Sequence, residues 1–245
     1  MKLLKQALKA VLEKSGYHIQ TLTPERAFHK QEFIKSAQDI YRRHWKQTKE
    51  DLAALKKKYE NPVFGKVRAW SLMERLAQCV DPSDPSLYCV NQQIHTLQVV
   101  EGMEKDGIDD PDLILAGLIH DLGKVLLLTD EEPENIVCLN KPIGSYEKAV
   151  GLENCFFQWN HDEFVYSRLK DYIPDHVAWL IRFHSICISE SEPYMDEKDR
   201  DYTERYLRVF RKYDEGTKSV FNLPKNGINK YRNMIEKTFP NPILF

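Results

Sequence analysis

The 245-residue sequence contains only five cysteines, at positions 79, 89, 138, 155 and 187. Their number is odd, their spacing is wide and no Cys-x-x-Cys occurs. That excludes a zinc ribbon and a disulfide framework and fits a reducing compartment. Charge of one sign is not in excess: 35 basic against 37 acidic residues leave a net charge of −2, with both signs scattered. Such a balance offers no footprint for nucleic acid or an anionic membrane surface. No apolar run approaches the length of a membrane span. Ten glycines and twelve prolines are spread without a low-complexity tract, which argues against wholesale disorder. No segment shows sustained strand-type alternation, and no internal repeat is visible.

Helical periodicity is what the chain has instead. Its length allows one large domain or two small ones with a substantial core. Met1 to Leu12 reads as an amphipathic helix rather than a leader, because Lys5 and Lys9 interrupt its apolar side. One long helix is expected over about 33–60, with Tyr41, Trp45, Leu52, Leu55 and Tyr59 at helical spacing and a lysine-rich solvated face opposite. Further helices are expected over about 67–79, 91–105 and 111–122, from 161, from Pro174, and over about 199–213. Asp81-Pro-Ser-Asp-Pro85 reads as a turn-rich loop, and 129–155 as irregular. The fold class is all-α, a bundle of short helices with functional loops. A soluble, cytoplasmic protein is expected.

The stretch Leu113 to Lys124 organises the rest. Asp110 can cap a helix there, Pro111 suits the first helical position, and Asp112 favours the positive end of the dipole. Leu115, Leu118, Ile119 and Leu122 fall on one side, and Gly123 is a natural stop. His120 and Asp121 end this apolar helix, where an imidazole and a carboxylate are costly unless both are satisfied. For the dipeptide alone, a hydrogen-bonded structural pair is the ordinary explanation. However, His95, His161, His184 and Asp214 also lie on or beside apolar helices, whereas His18, His29, His44 and His176 lie in more polar settings. Six nitrogen and oxygen donors with no thiolate suit two first-row metals bridged by a carboxylate better than a closed zinc site.

The order His95, His120-Asp121, Asp214 resembles the metal-binding order of the HD-domain superfamily. Leu118-Ile-His-Asp-Leu-Gly-Lys-Val125, Gly151-Leu-Glu-Asn154, Trp159-Asn-His-Asp-Glu163, Ile181-Arg-Phe-His-Ser185 and Lys212-Tyr-Asp-Glu-Gly-Thr-Lys218 resemble the motifs of the myo-inositol oxygenase family. The resemblance runs from about residue 33 to the C-terminus. It implies a single HD-type helical domain over 1–245, with residues 1–32 as an N-terminal extension and candidate lid. It implies a mixed-valent Fe(II)/Fe(III) pair: His95, His120 and Asp214 on one iron, His161 and His184 on the other, Asp121 between them. The second iron keeps positions for a diol and for O2, the co-substrate. The implied enzyme is a monomeric non-haem diiron oxidoreductase of inositol catabolism, cleaving the ring of myo-inositol to D-glucuronate.

By the same matching, Lys124 joins Asp121 as a catalytic residue. Asp81, Asp84, Lys124, Ser185, Lys218 and Arg26 are substrate contacts, Arg26 in the lid region. A cation at Lys124 or Lys218 would favour a substrate alkoxide. The chain departs from the family after Glu132-Pro133, where Cys138-Leu139 replaces a Gly-Asp pair. An apolar Leu139 facing a polyol leaves a hydroxyl without its acceptor, with Asn140 as a candidate substitute. Two alternatives share the ligand set: a diiron oxygenase acting on another polyol or a phosphonate, and a dinuclear HD-type phosphohydrolase. Neither an extra cationic cluster nor a Gly-Tyr-Pro signature favours them.

Overall fold

The computed structural model describes residues 30–137 and 139–245. Eleven α-helices are named, in chain order: α1 (Lys30–His44), α2 (Lys49–Lys58), α3 (Ala69–Arg75), α4 (Gln92–Lys105), α5 (Pro111–Ile119), α6 (His161–Leu169), α7 (Asp175–Phe183), α8 (Ile188–Ser191), α9 (Glu197–Tyr202), α10 (Arg208–Gly216) and α11 (Arg232–Thr238). Strands among the described residues are confined to one antiparallel pair, β1 (Lys66–Val67) and β2 (Ile243–Leu244), in register Lys66 to Leu244. The fold is all-α. Among the described residues, no helix is long and apolar enough to cross a membrane.

The single helix expected over 33–60 is two helices. Thr48 starts α2 with a capping box: its side chain accepts from Asp51 N, and the Asp51 side chain accepts from Thr48 N. Those reciprocal bonds satisfy two end groups of a new helix and outweigh an uninterrupted apolar stripe. Trp45, expected on the buried side, is 48% exposed at the break. The helix expected over 199–213 is likewise divided, because a π-turn over Thr203–Leu207 separates α9 from α10. Elsewhere the end signals act as expected: Asp110 caps α5 with Pro111 in its first turn, and Pro174 precedes α7; Asn91, not singled out in the sequence, caps α4.

One continuous hydrophobic cluster runs from Ile40 to Phe245. Phe164, Phe183, Phe210 and Phe245 are among its fully buried members, each contributing roughly 1.5–3 kcal/mol by burial. Helix α4 packs on α5, α6 on α7, α5 on α7 and α10 on α4. Gly117 permits the first contact, since a Cβ there would meet Val100 Cγ1 at 2.8 Å. These packed helices carry the polar residues of the next section into the middle of the core.

Candidate metal centre

Six polar side chains from five helices meet inside the bundle. His95 lies in α4, His120 and Asp121 follow the last turn of α5, His161 opens α6, His184 follows α7 and Asp214 sits in α10. All six are buried. The shared member is Asp121. Its Oδ2 stands 3.2 Å from His120 Nε2 and 3.6 Å from His95 Nε2, while its Oδ1 stands 3.1 Å from His161 Nε2 and 3.8 Å from His184 Nε2. Asp214 Oδ1 completes the first side, at 3.0 Å from His95 Nε2 and 3.7 Å from His120 Nε2. His95, His120 and Asp121 place donor atoms within 4.8 Å of one another, as do Asp121, His161 and His184.

Imidazole orientation shows what these atoms await. His120 Nδ1 donates to Gly117 O at 2.9 Å, His161 Nδ1 to Ile136 O at 2.7 Å and His184 Nδ1 to Ile181 O at 3.0 Å. With the ring proton committed to a carbonyl, each neutral imidazole turns the lone pair of Nε2 toward Asp121. Backbone carbonyls in this role fix tautomer and ring angle in histidine metal ligands. His95 differs, since its Nδ1 has no partner. His120 Nε2 and Asp121 Oδ1 are buried without a hydrogen bond. Acceptors facing acceptors in the interior are costly, and a cation between them removes the conflict. The donor set fits a pair of metal ions with Asp121 between them.

Electrostatics reinforce this arrangement. Burial pushes the Asp121 carboxyl up, but His120 and the Lys124 ammonium beside it hold it well below the usual range. Asp214 behaves alike, with Lys218 the largest force against burial. Burial lowers His161, yet the Asp162 and Asp121 carboxylates beside it raise it to about 9, so that without a metal a proton is favoured at the Nε2 position a cation would take. Lys124 is raised well above the ordinary lysine value because Asp121 and Asp81 outweigh its burial.

A cavity of about 500 Å³ opens over Asp121, His161, His184 and Asp214. Asp81, Asp84, Lys124, Ser185 and Lys218, the described residues expected at a substrate, all line it, and so does Leu139. Arg26 lies outside the described residues. The two loop aspartates are both turn formers and cavity wall. Asp81 Oδ1 accepts from Ser83 N and Ser83 Oγ at 2.7 Å each, and Asp84 Oδ1 accepts from Ser86 N at 2.8 Å. Their other oxygens each hold a lysine at 2.9 Å: Asp81 with Lys124, Asp84 with Lys218. Lys124 in turn reaches Asp121 at 3.1 Å, and Lys218 approaches Asp214 at 4.0 Å. The loop is thereby tied by two lysines to two of the inner carboxylates.

Three expectations change. Asn140 is buried and absent from the cavity wall, and its side chain is turned toward His44. It does not replace a hydroxyl acceptor in the cavity. His44, expected in a polar setting, is fully buried with Nδ1 donating to Glu134 O at 2.7 Å. It shares the inner face of α1 with Ala37 and Ile40, a spacing that could have revealed it. Asn160 with Glu163 three residues on has the spacing of a capping box, but Glu163 does not close one; Arg182 Nε donates to it at 2.6 Å. Sequence reasoning read Tyr41 only as part of a helix stripe and passed over Arg211, both of which line the cavity, and Asp162, which is fully buried beside His161. Asp162 had a signal: His161-Asp162 is a second His-Asp dipeptide, like His120-Asp121.

Comparison with known proteins agrees with this architecture. The family model described as Myo-inositol oxygenase matches residues 34–138 and 130–245. Inositol oxygenase 1 of Arabidopsis thaliana is 30% identical over 251 aligned positions, covering 85% of this chain and 80% of that protein. A probable inositol oxygenase of Oryza sativa subsp. japonica is 29% identical over 247 positions, covering 84% and 80%. The inositol oxygenase of Danio rerio is 30% identical over 207 positions, covering 69% and 73%. With motifs, buried donors and both stretches of the family model in agreement, the chain belongs to the myo-inositol oxygenase family.

Proposed function

We propose that this chain is an O2-dependent oxygenase that opens the ring of myo-inositol to D-glucuronate at a non-haem diiron centre, as a monomeric, cytoplasmic HD-type domain over residues 1–245. The observation that supports this most is the division of Asp121: one oxygen faces His95 and His120, the other His161 and His184. In this reading His95, His120 and Asp214 hold one iron, His161 and His184 hold the other, and Asp121 joins them. The pair would supply Lewis acidity toward a substrate hydroxyl and electrons for O2. In the overall reaction O2 accepts four electrons; one oxygen atom enters the product and the other leaves as water.

The chain's own residues set the substrate's place. Lys124 has three N–H bonds, and three acceptors take them: Asp81 Oδ2 at 2.9 Å, Asp121 Oδ2 at 3.1 Å and Gln92 Oε1 at 3.2 Å. A substrate oxygen reaches this ammonium only by replacing one acceptor. Gln92 is the longest and the only uncharged partner, so it is the one to yield. Lys124 then places a positive charge against the hydroxyl that must lose its proton. Asp81 and Asp84 keep lone pairs for further hydroxyls, and Lys218 balances Asp84. Leu139, at 38% exposure, gives one part of the wall no polar partner to offer.

The test is anaerobic loading with iron followed by O2 uptake across a panel of cyclitols. Uptake dependent on myo-inositol, with glucuronate formed, is the expected result. Uptake driven instead by a phosphonate, or phosphate release from esters without O2, replaces this reading with one of the alternatives.

A further inference from the structure

Asp162 is a buried carboxylate with two differently employed oxygens. Its Oδ2 accepts the Ser185 hydroxyl at 2.5 Å, and its backbone N donates to Asn160 Oδ1 at 2.9 Å at the start of α6. Its Oδ1 has no hydrogen-bond donor. The neighbours of that atom are His161 Nε2 at 2.9 Å and His184 Nδ1 at 3.6 Å. Neither brings a proton when the ring is neutral, because His161 Nδ1 donates to Ile136 O and His184 Nδ1 to Ile181 O. Oδ1 is therefore in the same condition as Asp121 Oδ1, which also has no donor and stands 3.1 Å from His161 Nε2. One imidazole lone pair is flanked by two carboxylate oxygens, an arrangement that only positive charge relieves.

The first side of the centre already has two carboxylates, Asp121 and Asp214, with two imidazoles. On the second side two imidazoles and one half of Asp121 stand without a counterpart to Asp214. We propose that Asp162 is that counterpart: a positioning carboxylate of the second metal position that sets negative charge beside His161 Nε2 with one oxygen and holds the Ser185 hydroxyl with the other. Ser185 lines the cavity. Its proton is given to Asp162 and its oxygen accepts from Asn160 Nδ2 at 3.3 Å, so that Asp162 and Asn160 together fix this hydroxyl at the cavity wall. Asp162 thus connects retention of the second cation with the polarity of the wall beside it. This rests on the two-metal reading above.

Asp162→Asn keeps the shape and removes the charge. Metal-free wild type, Asp162→Asn and Ser185→Ala are titrated anaerobically with Fe(II), counting bound iron and recording the spin-coupled signal after one-electron oxidation. The expected result is that Asp162→Asn keeps the first equivalent, binds the second at least tenfold more weakly and loses the coupled signal, while Ser185→Ala retains both irons. A purely structural role would lower the melting temperature of the metal-free protein and weaken both equivalents alike, overturning the inference. Two irons bound by Asp162→Asn with wild-type affinity and signal also overturn it. If wild type itself binds one iron or none, the two-metal reading fails, and the inference goes with it.

Discussion

Lys124 Nζ lies 3.1 Å from Asp121 Oδ2, the same oxygen that stands 3.2 Å from His120 Nε2. A lysine and the first set of donors thus share one carboxylate atom. Lys124 also neutralises Asp81, and all three residues are buried. Removing the ammonium leaves two interior carboxylates without their shared cation. Lys124→Met is expected to cost the metal-free protein about 3–5 kcal/mol, the usual penalty for breaking a buried pair on one side. Adding Asp81→Asn should recover part of that loss, because one of the stranded charges is gone. Urea unfolding of both variants measures this. A single variant as stable as wild type would show that Lys124 does not hold the Asp81 loop to the centre.

Asp121 is the member that both donor sets need. Asp121→Ala is expected to reduce bound iron from two per chain to one or none and to abolish any spin-coupled signal, with the fold retained by circular dichroism. His95→Ala, which touches one set, should leave iron on the other. Metal analysis after desalting separates the two outcomes. Full loading of Asp121→Ala would mean the two sites do not share a bridge.

Much of this centre was legible because its parts announce themselves locally. Asp110 with Pro111, Asn160, and Pro174 mark helix starts, and each does cap or open a helix. His95, His120, Asp121, His161, His184 and Asp214 lie on elements whose apolar faces point inward, and the structure brings all six together. What stayed hidden depended on competition or on distance. The Thr48–Asp51 capping box competes with the periodicity of 33–60 and wins. Asn140 looked available because its pairing with His44 joins positions far apart in the chain, which no local pattern discloses. Asp162 was visible as a dipeptide, but its link to Ser185 crosses 23 residues of sequence and no local rule discloses it.

Acid sensitivity has an identifiable contributor away from the centre. Glu131 accepts from Lys58 Nζ at 2.7 Å, from Asn135 Nδ2 at 2.9 Å and from the Tyr59 hydroxyl. Burial raises its pKa, but those donors together hold it below the ordinary glutamate value. A carboxyl depressed in the folded state contributes stability that is complete above the unfolded value of about 4.3 and disappears as pH falls through the folded one. Glu131→Gln should therefore lose about 1–2 kcal/mol at neutral pH, and its deficit should shrink on acidification below about pH 4. Denaturant titrations at both pH values check the sign. A deficit that is constant or grows in acid contradicts it.

Gly123 sits two residues after Asp121, and the reason for a glycine there is not helix termination. It is not among the glycines with positive φ. A Cβ at this position would lie 2.3 Å from His161 O and 2.8 Å from His161 Cβ. The obstructing atoms are largely backbone, at the first residue of α6, so no rotamer change clears them. Gly123→Ala must push the start of α6 away from the Asp121 segment, moving His161 from its 3.1 Å approach to Asp121 Oδ1. Overpacking of this kind costs typically about 1–3 kcal/mol. The more specific consequence is on the second donor set, which loses its alignment while His95, His120 and Asp214 stay in place. Gly123→Ala should therefore bind one iron firmly and the other weakly, and should melt several degrees below wild type. Gly65→Ala provides the control: its φ is +70° but nothing lies within 4 Å of the added carbon, and it does not line the cavity, so it should strain its own turn and leave iron content unchanged. If Gly123→Ala retains both irons, α6 has yielded without moving His161, and close approach is not what the glycine is for.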